Sequence, residues 1–111
     1  MLNQVILVGR LTRNITVNSS DSGTKVATIS LAIPRSFKNI DGTYDTDFVD
    51  CVAFENIALN AKEYCDKGDI LGVKGRVQSR VVEKEGKKEY LMDIVAEKIT
   101  FLSNKKQEEA E

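Results

Sequence analysis

This chain predicts an all-β domain carrying one short helix, and three observations predict it. Residues 26–33 alternate with the period of two that a half-buried strand requires, and in 47–54 the small apolar residues Val49, Cys51 and Ala53 recur at every second position. Residues 56–67 carry helical spacing instead. Turn signals at Asp41-Gly42 and Gly86 separate the extended segments. At 111 residues, 41% of them hydrophobic, the chain has room for one domain around one core.

The first predicted strand covers residues 4–11, Gln4-Val5-Ile6-Leu7-Val8-Gly9-Arg10-Leu11. It is apolar on both sides near its middle, as in a strand covered on both faces, and Gly9 lets it bend. Residues 12–24, rich in Asn, Ser, Asp and Gly, read as loop. In the second strand, residues 26–33, Ala27, Ile29, Leu31 and Ile33 face the core, Thr28 and Ser30 lie between them, and Pro34 ends the run. A long hairpin loop over 34–46 turns at Asp41-Gly42 and leads into the third strand, 47–54. The helix follows over 56–67. Ile57, Ala58, Ala61, Tyr64 and Cys65 make one apolar stripe, Asn60, Lys62, Glu63 and Asp66 fall outside it, Asn56 caps the start, and Gly68 ends it. A fourth strand over 69–82, a hairpin at Gly86 and a fifth strand over 89–102 complete the chain. Five strands with a helix between the third and fourth is the order of the five-stranded OB-fold barrel, whose helix plugs one end. The domain is thus expected over 1–102, with 103–111 a short disordered acidic tail.

Several function classes are disfavoured. Histidine is absent, so metal centres and acid–base catalysis lose their commonest ligand and proton shuttle. No GxxxxGK[ST] or GxGxxG run supplies a phosphate cradle, and no clustered carboxylates suggest a nuclease metal site. Cys51 and Cys65 lie on apolar faces without a Cys-x-x-Cys pair and read as small buried hydrophobes. No cofactor, no metal and no enzymatic activity are expected. No stretch approaches a membrane span and the N-terminus lacks a signal peptide's basic region, which predicts a cytoplasmic protein with no membrane contact. Net charge is −1; without the two lysines and three glutamates of the tail, the 16 basic and 17 acidic residues become 14 and 14. What matters is where the charges sit.

On the third strand, Val49, Cys51 and Ala53 suit the interior, which turns Phe48, Asp50, Val52 and Phe54 outward. Two exposed rings on one face offer a stacking platform for bases. On the fourth strand, Leu71, Val73, Val77 and Val81 point inward, leaving Lys74, Arg76, Gln78 and Arg80 as an outer stripe rich in cations. Arg35-Ser36-Phe37-Lys38 interleaves charge with an aromatic on the first hairpin loop, and Lys84, Lys87 and Lys88 sit on the second hairpin. Together these describe a groove for single-stranded nucleic acid, with rings for bases and cations for phosphates.

The opening Met1-Leu2-Asn3-Gln4-Val5-Ile6-Leu7-Val8-Gly9-Arg10-Leu11-Thr12, the Val26-Ala27-Thr28 strand, Asp47-Phe48-Val49-Asp50-Cys51-Val52 and Gly75-Arg76-Val77-Gln78-Ser79-Arg80 resemble the bacterial single-stranded DNA-binding protein family in order and spacing, over residues 1–102. The resemblance implies sequence-independent binding of single-stranded DNA by a homotetramer of OB folds, in replication, recombination or repair at the nucleoid, without cofactor or catalysis. It implies stacking at Phe37, Phe48 and Phe54 and phosphate contacts at Arg10, Arg13, Arg35, Lys38, Lys67, Arg76 and Arg80. The chain departs from the family pattern in places. Val82 stands where tryptophan or tyrosine is usual, Asn18-Ser19 where a basic residue and an aromatic are common, and Asp50 between the two rings. Full-length cellular members of the family end in a flexible linker and an acidic tip closing in Pro-Phe that recruits enzymes, whereas this chain closes in Glu108-Glu109-Ala110-Glu111. An accessory, phage or mobile-element form, or a shortened chain, is the corresponding expectation. The competing function is an OB-fold protein-interaction module of a primosome-like assembly.

Overall fold

The structure is a computed structural model and describes residues 1–103. Ser103, expected to open the tail, is the last residue of a strand, and the rest of the predicted tail lies outside the described residues. Strands β1 (Val5–Leu11), β2 (Val17–Ser19), β3 (Lys25–Pro34), β4 (Thr46–Phe54), β5 (Ile70–Lys84) and β6 (Lys87–Ser103) form a sheet in the order β1-β5-β6-β4-β3-β2. A further pairing of β1 with β3, Arg10 beside Ala32 and Leu11 beside Leu31, closes this sheet into a ring. Helix α1 (Glu55–Tyr64) lies between β4 and β5 in the chain. The predicted plan of five long strands and one helix is therefore present, with β2 added where the sequence reads as loop. β2 adds Val17, Asn18 and Ser19 to the edge of β3 beside Ala27, Val26 and Lys25.

The core follows the alternation. Ala27, Ile29, Leu31, Cys51, Ala53, Leu71 and Val73 are buried inside the ring, with Ala58, Ala61 and Cys65 packed on them from the helix side. Close packing also explains two glycines. A Cβ on Gly9 would stand 2.8 Å from the Ala32 carbonyl oxygen, so this residue permits the close approach of β1 to β3. A Cβ on Gly75 would stand 2.1 Å from the Val95 oxygen, next to the β5–β6 register shift between Lys74 and Gly75.

The helix differs from expectation at both ends. It begins directly after β4 with Phe54 as N-cap and no side-chain capping bond, so Asn56 does not cap it. Glu55, at φ +51°, makes the sharp exit from the strand, and its carboxylate accepts the Lys25 N–H at 3.1 Å. At the other end Tyr64 is the last helical residue and Cys65 is already extended. Gly68, at φ +98°, serves the turn into β5 rather than the helix end: its N–H donates to the Leu11 carbonyl at 2.8 Å.

Val81 is also misread by parity alone. β1 pairs with β5 only as far as Val5 beside Gly75, and β4 meets β6 only at Cys51–Ile94 and Val52–Val95. Beyond that level β5 and β6 continue as a two-stranded arm with no sheet opposite. Val81 is accordingly 55% exposed instead of buried, together with Tyr90 and Met92 on the same arm. Asn3 ties the base of the arm to the N-terminal segment, accepting the Val77 N–H at 2.9 Å and donating to its carbonyl at 2.7 Å.

Candidate nucleic-acid interface

Registers across the sheet place the predicted rings. Phe48 and Phe54 lie on the outer face of β4, 76% and 41% exposed, six residues and hence about 20 Å apart along the strand. Each ring heads a row. Phe48 is followed across the sheet by Ala32, Arg10 and Ile70, and Phe54 by Val26 and Asn18. Between them runs Thr28, Val52, Val95 and Arg76, which carries a cation to the same outer face. A recess of about 300 Å³ opens beside the Phe48 row, lined mainly by apolar groups including Val8, Ala32, Pro34 and Ile70. A second, of about 240 Å³, opens beside the Phe54 row.

Phe37 is exposed on the loop between β3 and β4, as predicted. This loop is a closed hairpin: the Arg35 N–H donates to Asp45, the Asn39 N–H to Thr43, and Gly42 takes φ +87° at its turn. The Thr43 hydroxyl and N–H bond the Asp41 carboxylate and hold its pKa below 3.8. Lys38 Nζ stands 5.9 Å from the Tyr44 ring centroid, a cation–π contact.

The candidate cations divide by partner. Arg35 forks onto Asp47 at 2.9 Å and 3.2 Å, with Asp45 at 3.6 Å. These hydrogen bonds hold the Asp47 carboxyl below 3.8 and raise the guanidinium in turn. Arg76 donates to Gln78 at 2.9 Å and pairs with Glu97 at 3.6 Å, while Arg80 meets Asp93 at 2.8 Å. Arg10 donates to the Gly68 carbonyl at 2.6 Å. The carboxylate pairs of Arg35, Arg76 and Arg80 reach solvent, so a phosphate can replace the carboxylate at small cost. Lys74 is exposed, with Lys98 its neighbour on β6. Lys67 is exposed at the turn before β5, held through its backbone N–H by Asn14 Oδ1 at 2.8 Å. Lys84, Lys87 and Lys88 flank the tip of the arm, away from the ring of the sheet; the turn there is Glu85-Gly86, both at positive φ.

Sequence reasoning missed the acids that partner these arginines. The signal existed: a two-residue turn at Glu85-Gly86 pairs Lys84 with Lys87 and, counting outward, Gln78 with Asp93, which sets Asp93 diagonally beside Arg80. The predicted stripe is thus a ladder of mixed sign.

Exposed rings flanked by cations on the outer face of a small closed sheet define the class of OB-type domains that hold single strands. The chain belongs to the Single-strand binding protein family, whose profile matches residues 2–102. Single-stranded DNA-binding protein B of Bacillus subtilis (strain 168) is 40% identical over 111 residues, covering 99% of this chain and 98% of that one. Single-stranded DNA-binding protein 1 of Staphylococcus aureus (strain MSSA476) is 43% identical over 106 residues, 95% of this chain and 68% of that protein. The protein of the same name from strain COL is 42% identical over 106 residues, 64% of its own length.

Proposed function

We propose that this protein binds single-stranded DNA in the cytoplasm and protects strands exposed during replication, recombination or repair, without requiring a particular sequence. Bases stack on Phe37, Phe48 and Phe54, and phosphates displace the carboxylates from Arg35, Arg76 and Arg80 or meet Arg10, Arg13, Lys38, Lys67, Lys74, Lys84, Lys87 and Lys88. The observation that carries this reading is the exposure of Phe48 and Phe54 on one outer face, where a monomeric fold gains nothing from two large rings in water. Relatives named for single-stranded DNA binding support it.

A titration of labelled oligo-dT against the native chain and against Phe48→Ala and Phe54→Ala tests it. Each substitution is expected to weaken binding by about 1–3 kcal/mol per stacked base while leaving the fold intact. Unchanged affinity in folded variants removes the stacking assignment, and no binding by the native chain favours a protein-interaction module. The working form is a homotetramer. Ile6 and Val8, 69% and 50% exposed on the outer face of β1, form an apolar strip suited to contact between copies. Native mass spectrometry is expected to give a tetramer that Ile6→Glu disrupts; a monomer in the native chain removes this assembly.

A further inference from the structure

Among the described residues, Arg13 is the one guanidinium without an acceptor. Arg10 is bound to a carbonyl, and Arg35, Arg76 and Arg80 to carboxylates. Arg13 lines the 240 Å³ recess with Asn14, Thr16, Asn18, Val26 and Thr28. Ile15, buried in the core, anchors this loop between β1 and β2. Only Asn14 among the polar groups has a partner, its Oδ1 accepting from Lys67, which leaves its NH2 group available.

We infer that this recess is a base-edge subsite that favours guanine in a strand stacked on Phe54, with the Arg13 fork meeting that edge instead of a phosphate. The inference rests on the stacking role proposed for Phe54. Val26 is the neighbour of Phe54 on one side and of Asn18 on the other, so Asn18 lies two strand spacings, about 10 Å, from Phe54. A base lying on the Phe54 ring spans Val26 and turns one edge into the recess. The lining holds no carboxylate: Arg13 offers five N–H groups and no acceptor and Asn14 its NH2, while Asn18, Thr16 and Thr28 carry both donors and acceptors. An edge with two adjacent acceptors best suits the Arg13 fork, the one charged group of the recess. Guanine O6 and N7 present that pair to a guanidinium fork, whereas adenine and cytosine place an amino donor on the same edge and thymine a single carbonyl beside a methyl group. The recess beside Phe48 is chiefly apolar and its Arg10 already faces Gly68, so it reads no edge. The outcome is a positional bias superimposed on otherwise sequence-tolerant binding.

Competition titrations with oligo-dT strands carrying one dG, dA or dC at an internal position test this. The native protein is expected to prefer the single-dG strand over all-dT by about fivefold or more. Replacing that dG by 7-deazaguanine, which lacks the N7 acceptor, should abolish the preference in the native protein. Arg13→Lys, which keeps charge but loses the fork, should bring the dG-to-dT ratio to about one. A ratio of one in the native protein, or a ratio that survives either 7-deazaguanine or Arg13→Lys, overturns the inference while leaving the stacking proposal standing. Failure to bind all-dT overturns both.

Discussion

Cys51 and Cys65 are buried in the core, and burial pushes their thiols up to about 11 and about 12. The folded state thus holds these protons more tightly than the unfolded chain, where the ordinary value is 9.0. Below pH 9 the thiols leave stability independent of pH. As pH rises from 9 toward the folded values, stability falls by about 1.4 kcal/mol per pH unit for each titrating thiol. Urea unfolding from pH 8 to 10.5 should therefore show a steeper loss in the native chain than in a Cys51→Ala, Cys65→Ala variant; equal slopes contradict this. A thiol reagent at pH 8 should label neither residue until denaturant is added. At this scale the sequence was readable wherever alternation applies. Val49, Cys51 and Ala53 turn inward and Phe48 and Phe54 outward because β4 is unbulged and one side of it faces the core. The partners of the arginines were less readable, since they depend on which residues of two strands end up adjacent.

Among elements, the β5–β6 arm shapes the candidate site most. It carries Arg80 and the tip lysines away from the ring, and its second strand brings Asp93 against Arg80. Asp93→Asn removes that competing carboxylate. Oligo-dT affinity at low salt is then expected to rise, because a phosphate no longer has to displace that carboxylate from Arg80. Unchanged affinity in titrations at low salt shows that DNA does not reach Arg80. The arm also explains why Val81 defeats the alternation rule. Parity tells which face a side chain takes but not whether anything covers that face, and the covering strands β1 and β4 stop short of it. β2 escaped detection for a different reason, because three residues between polar neighbours are too few to establish a period. Helix α1 was legible from its stripe, while its start was not: a strand that enters a helix through a left-handed Glu55 leaves no capping signature.

For the whole molecule, five long strands and the placement of one helix among them carried the fold, and no described helix is long and apolar enough to cross a membrane. The closure of the ring was expected from the order of the elements alone, whereas the residues that make it were not visible, because a seam of Arg10 beside Ala32 and Leu11 beside Leu31 is too short to leave a pattern. That seam has a consequence for how the chain is made. β1 leaves the ribosome before β5, yet most of its pairing is with β5, Val5 meeting Gly75, so the apolar run Val5–Leu11 waits for about 60 further residues before its principal neighbour exists. The β5–β6 hairpin, by contrast, closes on itself through a two-residue turn as soon as it emerges. Loop-closure entropy favours the same order in refolding from denaturant. Pulsed hydrogen exchange during refolding should find the amides of Val77–Lys84 protected before those of Val5–Leu11, and simultaneous protection would contradict this order. The newborn chain thus carries an unsatisfied sticky strand until β5 appears, and that interval is when it most needs to be kept from its neighbours on the same message.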